Sequence, residues 1–263
     1  MDKPCEANRD TRVIPVSVVI IAHNEEQNIV SCIEAVKVFS NDILVVENGS
    51  TDQTAKLATD AGARVLQTEW KGYSETKNYG NRYAKNDWIL SLDADEIVQP
   101  SLVKSIQQVF SGHLPEETMV FRIRRCMWYA GRRLYFGSVL RESRDRLFHR
   151  ATAMWNGAAV HEELFFSRPV QKSTLKGYVV HRSYRSENEH RERLEKYARL
   201  SARQMKERGR SYSVWKYYLS PAFYFVRNFI FRLGFLDGQA GYRFARNEMR
   251  YVKNKYRYLK ELK

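Results

Sequence analysis

The sequence predicts an α/β protein: a mostly parallel sheet flanked by helices, with a C-terminal helical extension. Three observations predict it. Through residues 13–93, apolar β-branched runs alternate with segments of helical periodicity. Each run ends in polar residues, where a ligand meets the carboxyl ends of parallel strands. From Glu187 onward the chain turns into charged helix and then into basic, aromatic sequence.

The elements follow in order. "VIPVSVVIIA" (13–22) is apolar and β-branched, the composition of a buried strand. "NEEQNIVSCIEAVKVF" (24–39) places Ile29, Ile33 and Val36 at helical spacing, with Asn24 as its expected cap and Glu25 and Glu26 in its first turn. "DILVVEN" (42–48) is a second strand. "GSTDQTAKLATDAGA" (49–63) is a helix with capping residues before it and Gly62 behind it. "RVLQTEW" (64–70) is a third strand, "KGYSETKNYGNRYAKN" (71–86) a polar helix and "DWILSLD" (87–93) the next strand. Strand and helix at this spacing imply right-handed βαβ units. Residues 120–181 are less regular and rich in arginine and aromatics. "ENEHRERLEKYARLSARQMKERG" (187–209) is a charged helix ending at Gly209. The expected organisation is a flexible N-terminus over 1–12, an α/β domain over 13–185 and a basic, aromatic helical region over 186–263.

The 263 residues suffice for a substantial core, and 43% hydrophobic with 28% charged residues is a globular composition. Lys+Arg number 44 against 30 Asp+Glu, a formal net charge of +14 that favours a polyanionic partner. Cys5, Cys32 and Cys126 lie far apart and form no CxxC pair, so reduced thiols of a cytoplasmic protein are the expectation. The polar start "MDKPCEANRDTR" carries no apolar signal segment. The nearest approach to a spanning segment, 223–236, is interrupted by Arg227 and Arg232.

The chemistry concentrates in "WILSLDADE", where Asp93, Asp95 and Glu96 crowd the end of an apolar strand. Like charges at that spacing repel unless a cation or a hydrogen-bond network joins them. Mg²⁺ or Mn²⁺ suits such oxygens, with phosphates and water completing the shell. Asp93 and Asp95 project to the same side of an extended segment. The competing use is an acidic loop that caps the following helix.

"VSVVIIAHNEEQNI", "ILVVENGSTDQT", "KNYG" and "WILSLDADE" together resemble the family-2 glycosyltransferases of GT-A fold, within them the lipopolysaccharide core glucosyltransferase group. "RLFHR", "VHEEL", "HRSYRS" and "GFLDGQAGY" resemble that group's later motifs, so the likeness runs over 14–245. The resemblance implies a nucleotide-sugar donor across the sheet, with Ala22, Asn24 and Glu25 beside the nucleotide. Glu47 stands where the family often has an aspartate on the uracil, and glutamate reaches farther. Asp52 would meet the donor or cap a helix. Lys77, with Asn78, would meet the donor or lie on a solvated helix face. Asp93 would face the ribose or the metal, and Asp95 would bind the metal directly.

An inverting transfer needs a base on the acceptor side. The resemblance points to Glu162 of "VHEEL", with Asp145 as the rival; a surface salt bridge is the other use of Glu162. Arg141, Arg144 and Arg146 could grip diphosphate or form a plain basic surface, and Arg146 matches the group's "RLF". His181 would complete the metal shell, by likeness to the late histidine of several relatives, or be structural. The tail over 212–263 mixes aromatics with Arg and Lys, which suits a bilayer interface, nucleic-acid stacking or plain packing on the catalytic domain.

The implied protein is therefore an inverting, metal-dependent hexosyltransferase. It takes a nucleotide-sugar, expected to be a UDP-hexose, to a lipid-linked or lipopolysaccharide-core acceptor at the inner face of the cell membrane. The alternative within the class transfers to polyprenyl phosphate. In another class stands a basic nucleic-acid-binding protein, although nucleic acid is not the expected partner.

Overall fold

The computed structural model describes residues 13–140, 142–156, 163–184 and 186–262. The elements in chain order are β1 (Val16–Ala22), α1 (Ile29–Lys37), β2 (Asp42–Glu47), α2 (Thr54–Asp60), β3 (Arg64–Gln67), α3 (Tyr73–Tyr83), β4 (Trp88–Asp93), β5 (Glu96–Val98) and α4 (Pro100–Val109). There follow β6 (Met119–Tyr129), β7 (Arg132–Leu134), β8 (Ser143–His149), β9 (Ala153–Trp155), β10 (Leu164–Phe166), β11 (Gln171–Tyr184), α5 (Glu187–Glu207), α6 (Val214–Val226) and α7 (Gly238–Glu261). They gather into two compact units: Met1–Arg124 with Ser143–Val179, and Arg125–Glu142 with Val180–Lys263.

The first unit is built on the expected sheet, in the order β3-β2-β1-β4-β8-β6-β11-β5. The run β3-β2-β1-β4 is parallel throughout. Beyond it β8 pairs antiparallel with both β4 and β6, strands that the irregular sequence of 120–181 does not announce. Alternation along the strands makes two apolar layers. Val16, Val18, Ile20, Leu90 and Leu92 pack with Ile29, Ile33 and Val36 of α1 and with Leu102 and Ile106 of α4. Val19, Ile21, Val46, Ile89 and Phe148 pack on the other face with Tyr79, Ala84, Trp155 and Leu164. α3 comes close to that face because it carries Gly80: a Cβ there would stand 2.4 Å from Val19 Cγ1 and 2.8 Å from Val46 Cγ2. β9 and β10 form a separate antiparallel pair.

The second unit holds the hairpin of β6 and β7 together with the C-terminal helices. α5 begins where its signals place it: Ser186 Oγ accepts the Glu189 N–H at 3.1 Å, with Glu187 and Glu189 in the first turn. Ala198 and Ala202 of α5 let α7 approach, sealed by Tyr258 and Leu259. Tyr129, Leu134, Val139 and Phe244 form a second small core. α6 passes through a π-helical turn (Arg227–Phe231) and a 3₁₀ turn (Gly234–Asp237) into α7. "GFLDGQAGY" makes the tight turn expected of its glycines: a Cβ on Gly241 would collide with the Gly234 carbonyl oxygen. Asp237 pins this turn by accepting the Tyr135 and Phe136 N–H groups at 2.9–3.1 Å. Among the described residues no helix is long and apolar enough to cross a membrane.

Candidate active site

The carboxyl ends of β1, β2 and β4 bring the first unit's polar residues together. The parallel register sets Ile21 opposite Asp93 and Ala22 opposite Glu47. Beyond the strands, Ala94 N–H still bonds Ile21 O at 3.1 Å and Asn48 N–H bonds Ala22 O at 3.2 Å, so the rim itself is ordered backbone.

The loops after β1 and β2 lock onto each other. Asn24 is left-handed, at φ 54°, a conformation asparagine tolerates. It does not cap α1 as expected; the helix starts at Ile29. Asn24 Oδ1 instead accepts the Thr51 N–H at 2.8 Å, and its own N–H donates to Ser50 Oγ at 3.0 Å. Glu25 N–H donates to Thr54 Oγ1 at 2.8 Å, and Glu25 Oε2 accepts from Asn28 at 2.7 Å. Asp52 accepts from the Thr54 N–H at 3.0 Å and the Glu26 N–H at 3.1 Å, and from the Thr54 hydroxyl. Burial pushes the Asp52 carboxyl up, but the Thr54 hydroxyl and these N–H groups outweigh it and hold the carboxyl below its ordinary value. The helix-starting use of Asp52 is the one its contacts display. Glu47 is buried and folds back to accept the Ser50 N–H, within reach because glutamate is one methylene longer than aspartate.

Asp93 stands between two cations. Lys77 Nζ lies 3.1 Å from Asp93 Oδ1, and Arg146 Nη2 lies 2.9 Å from Asp93 Oδ2. Arg146 also reaches Glu96 Oε1 at 2.9 Å, and Glu96 Oε2 accepts the Asp93 N–H at 3.1 Å. Lys77 is 0% exposed, so the solvated-face reading of that lysine fails. Its ammonium sits 4.6 Å above the Trp155 ring. Asn78, the next residue, clamps the Trp155 backbone, donating to its O at 3.0 Å and accepting from its N–H at 2.9 Å. Arg146 owes its aim to a bulge. The β6–β8 register steps from Phe121↔Leu147 to Arg122↔Asp145, which leaves Arg146 as the extra residue.

Glu96 has no role assigned from sequence, yet it is fully buried and completes this network. Its place in the acidic trio was the available signal. Trp155 offered none.

Does this rim suit a divalent ion? Among the described residues no group of three His, Cys, Asp or Glu side chains could hold one alone. The chemistry of the donors still fits. Asp93 and Asp95 supply hard oxygens, and Mg²⁺ or Mn²⁺ bound with a diphosphate uses only one or two protein carboxylates. Burial pushes the nearby Cys32 thiol well above its ordinary value, and the charges of Glu96, Asp95, Asp93 and Glu25 push it the same way.

Of the remaining candidates some make other contacts and some lie outside the described residues. Asp145 divides its oxygens between Arg122 Nε at 2.9 Å and Lys172 Nζ at 2.6 Å. His181 belongs to the second unit, where its ring lies against the Arg125 guanidinium at 2.5–2.8 Å. Arg144 is exposed on β8. Arg141 and Glu162 lie outside the described residues.

A parallel α/β sheet whose carboxyl rim gathers acids, amides and two buried cations is the architecture of a nucleotide-sugar-binding transferase. The family comparison agrees: the pattern of glycosyl transferase family 2 matches residues 17–148, and the chain belongs to that family. It is a glycosyltransferase, an enzyme rather than a nucleic-acid-binding module. It is 26% identical over 234 residues to an uncharacterized glycosyltransferase of Rickettsia typhi, covering 86% of this chain and 80% of that one. It is 28% identical over 242 residues to the lipopolysaccharide core biosynthesis glycosyltransferase LpsC of Rhizobium meliloti, covering 87% and 88%. Among solved structures it is similar to glucosyl-3-phosphoglycerate synthase from Mycobacterium tuberculosis in complex with Mn²⁺, uridine-diphosphate and glucosyl-3-phosphoglycerate. There the identity is 24%, the TM-score 0.36, and the match spans 44% of each chain, less than half of that protein.

Proposed function

We propose that the chain is an inverting, metal-dependent glycosyltransferase that moves a hexose from a UDP-sugar to a lipid-linked or lipopolysaccharide-core saccharide. The observation that carries the reading is Asp93, held between Lys77 and Arg146 at the sheet's carboxyl rim, with Asp95 two residues on. The likeness to LpsC along almost the whole of both chains supports the core-saccharide acceptor. Such an acceptor is met at the cytoplasmic face of the membrane, where the enzyme would be peripheral.

In this mechanism Asp93 and Asp95 would hold Mn²⁺ or Mg²⁺, which would supply positive charge against the diphosphate. Lys77 and Arg146 fix the Asp93 carboxylate in place. Arg146 acts through Asp93 and Glu96, to which its own bonds run. The loops carrying Ala22, Asn24, Glu25 and Glu47 form the floor for the nucleotide. Their mutual hydrogen bonds mean this floor needs little reordering when a donor arrives. Glu162 takes the proton from the acceptor hydroxyl. Asp145, whose oxygens pair with Arg122 and Lys172, is the rival for that role.

The test is a panel of nucleotide-sugars assayed for hydrolysis and transfer with Mn²⁺, Mg²⁺ or EDTA. UDP-hexose turnover that stops with EDTA and falls about a hundredfold or more in Asp95→Asn is expected. Turnover indifferent to EDTA overturns the metal assignment. Full transfer by Glu162→Gln points instead to polyprenyl phosphate, an acceptor that is already an anion.

A further inference from the structure

We propose that the outward face of α6 and the turn that follows it is a binding surface for an anionic lipid bilayer. The inference deepens the lipid-linked acceptor reading, but it stands on residues of the second unit alone.

α6 is inverted in character. The face it buries carries Pro221, and Asn228 is the buried residue of the π-helical turn behind it. The face it leaves to solvent carries Trp215, Tyr218, Leu219 and Phe223, and the exposed face continues through Ile230 and Phe231. Trp215 is 75% exposed, Phe223 65% and Phe231 77%. The α6 positions recur at three- and four-residue steps, so they form one stripe and not a scatter. Single exposed apolar residues are ordinary; a contiguous stripe of large ones marks an interaction surface.

Charge selects the occupant. Arg208, Arg210, Lys216, Arg227 and Arg232 fall in the stretch between Glu207 and Asp237, and that stretch contains no acid. A second copy of the chain, docking this face on itself, would set those cations against their own images. Anionic headgroups neutralise them. The residue types agree, since Trp and Tyr settle at headgroup depth with an apolar body inward and a polar tip outward. Lys216 and Arg232 can extend to the phosphates while the rings enter the acyl boundary. The contact is interfacial.

Flotation of the full chain with vesicles tests this, using phosphatidylcholine alone or with one-third phosphatidylglycerol. Binding to the anionic vesicles is expected, weakened by high salt and weaker by roughly fivefold per basic residue engaged on the neutral ones. The triple variant Trp215→Glu, Phe223→Glu, Phe231→Glu should lose binding by at least about a hundredfold. UDP-hexose hydrolysis without vesicles should not change, which separates failure of this inference from failure of the transferase reading. If the triple variant does not fold, brominated lipids should quench wild-type tryptophan fluorescence, and Trp215→Phe should abolish most of that quenching. No flotation on anionic vesicles, unchanged flotation of a folded triple variant, quenching that survives Trp215→Phe, or a dimer that the triple variant dissolves would each overturn the proposal.

Discussion

Replacing Arg146 by methionine is expected to cost about 3–5 kcal/mol of stability, and the structure shows why the cost is that large. One guanidinium nitrogen stands 2.9 Å from Asp93 Oδ2 and 2.9 Å from Glu96 Oε1. The arginine side chain is 7% exposed and that of Glu96 is 0% exposed. Without Arg146 the Glu96 carboxylate stays buried beside a second carboxylate. Asp93 adds little to the cost, because its side chain is 28% exposed and keeps Lys77 at 3.1 Å. The burden falls on Glu96.

The same reasoning makes a sharper claim about the pair. In Arg146→Met with Glu96→Met, both members of the most deeply buried contact of this network are replaced by side chains of similar volume. Buried ion pairs exchanged for apolar groups are commonly neutral or stabilising. The double variant should therefore lie within about 1–2 kcal/mol of the parent, with a coupling energy of at least about 2 kcal/mol. Urea denaturation followed by far-UV circular dichroism measures all four proteins. In thermal scans the single variant should melt roughly 6–15 °C lower. Additive costs would refute the argument, since they would mean that the two side chains contribute packing and not charge.

Two further outcomes follow. Gly80→Ala should cost about 1–3 kcal/mol by forcing α3 off the sheet, because its new Cβ would meet Val19 at 2.4 Å; equal chemical-denaturation midpoints would show that the helix can yield. Asp52→Ala should cost about 1 kcal/mol at pH 7 by freeing the first turn of α2. Its carboxyl titrates below the ordinary value in the folded chain, so its contribution is present above the unfolded value of about 3.9 and disappears as pH falls through the folded one. Parent and variant should therefore begin to converge in stability as pH falls below about 4 and meet only below the folded value, and a difference unchanged by acid would assign Asp52 another role.

What the sequence made legible, and what it did not, divides along one physical line. β1, β2 and β4 announce themselves because burial on both faces demands continuous apolar, β-branched runs. Asp93 and Asp95 were legible for the converse reason, as charge set at the end of such a run. α3 hid its working side. The residues it buries are Ser74, Thr76, Lys77, Gly80 and Asn81, so no apolar stripe tells which face meets the sheet. The helix is held there by the closeness that glycine allows and by Asn78 on the Trp155 backbone. Arg146 was legible as a residue type, but its partners were not. A bulge, invisible to two-residue periodicity, turns it towards Asp93 and Glu96.

α6 was left open by composition: its aromatics suited a bilayer interface, nucleic-acid stacking or plain packing, and the structure puts proline and asparagine on the inside while tryptophan and phenylalanine take the outside. Periodicity locates a stripe; it does not say what covers it. When a chain places small and polar groups where burial is complete and large rings where it is absent, stability alone is a poor account of either choice. At α3 the buried Lys77 sits against the rim carboxylate of Asp93. At α6 the rings face away from the protein, beside a run of cations with no acid among them. Both helices depart from the local rule, and the proposed bilayer surface would account for the departure at α6 as the contact with Asp93 accounts for it at α3.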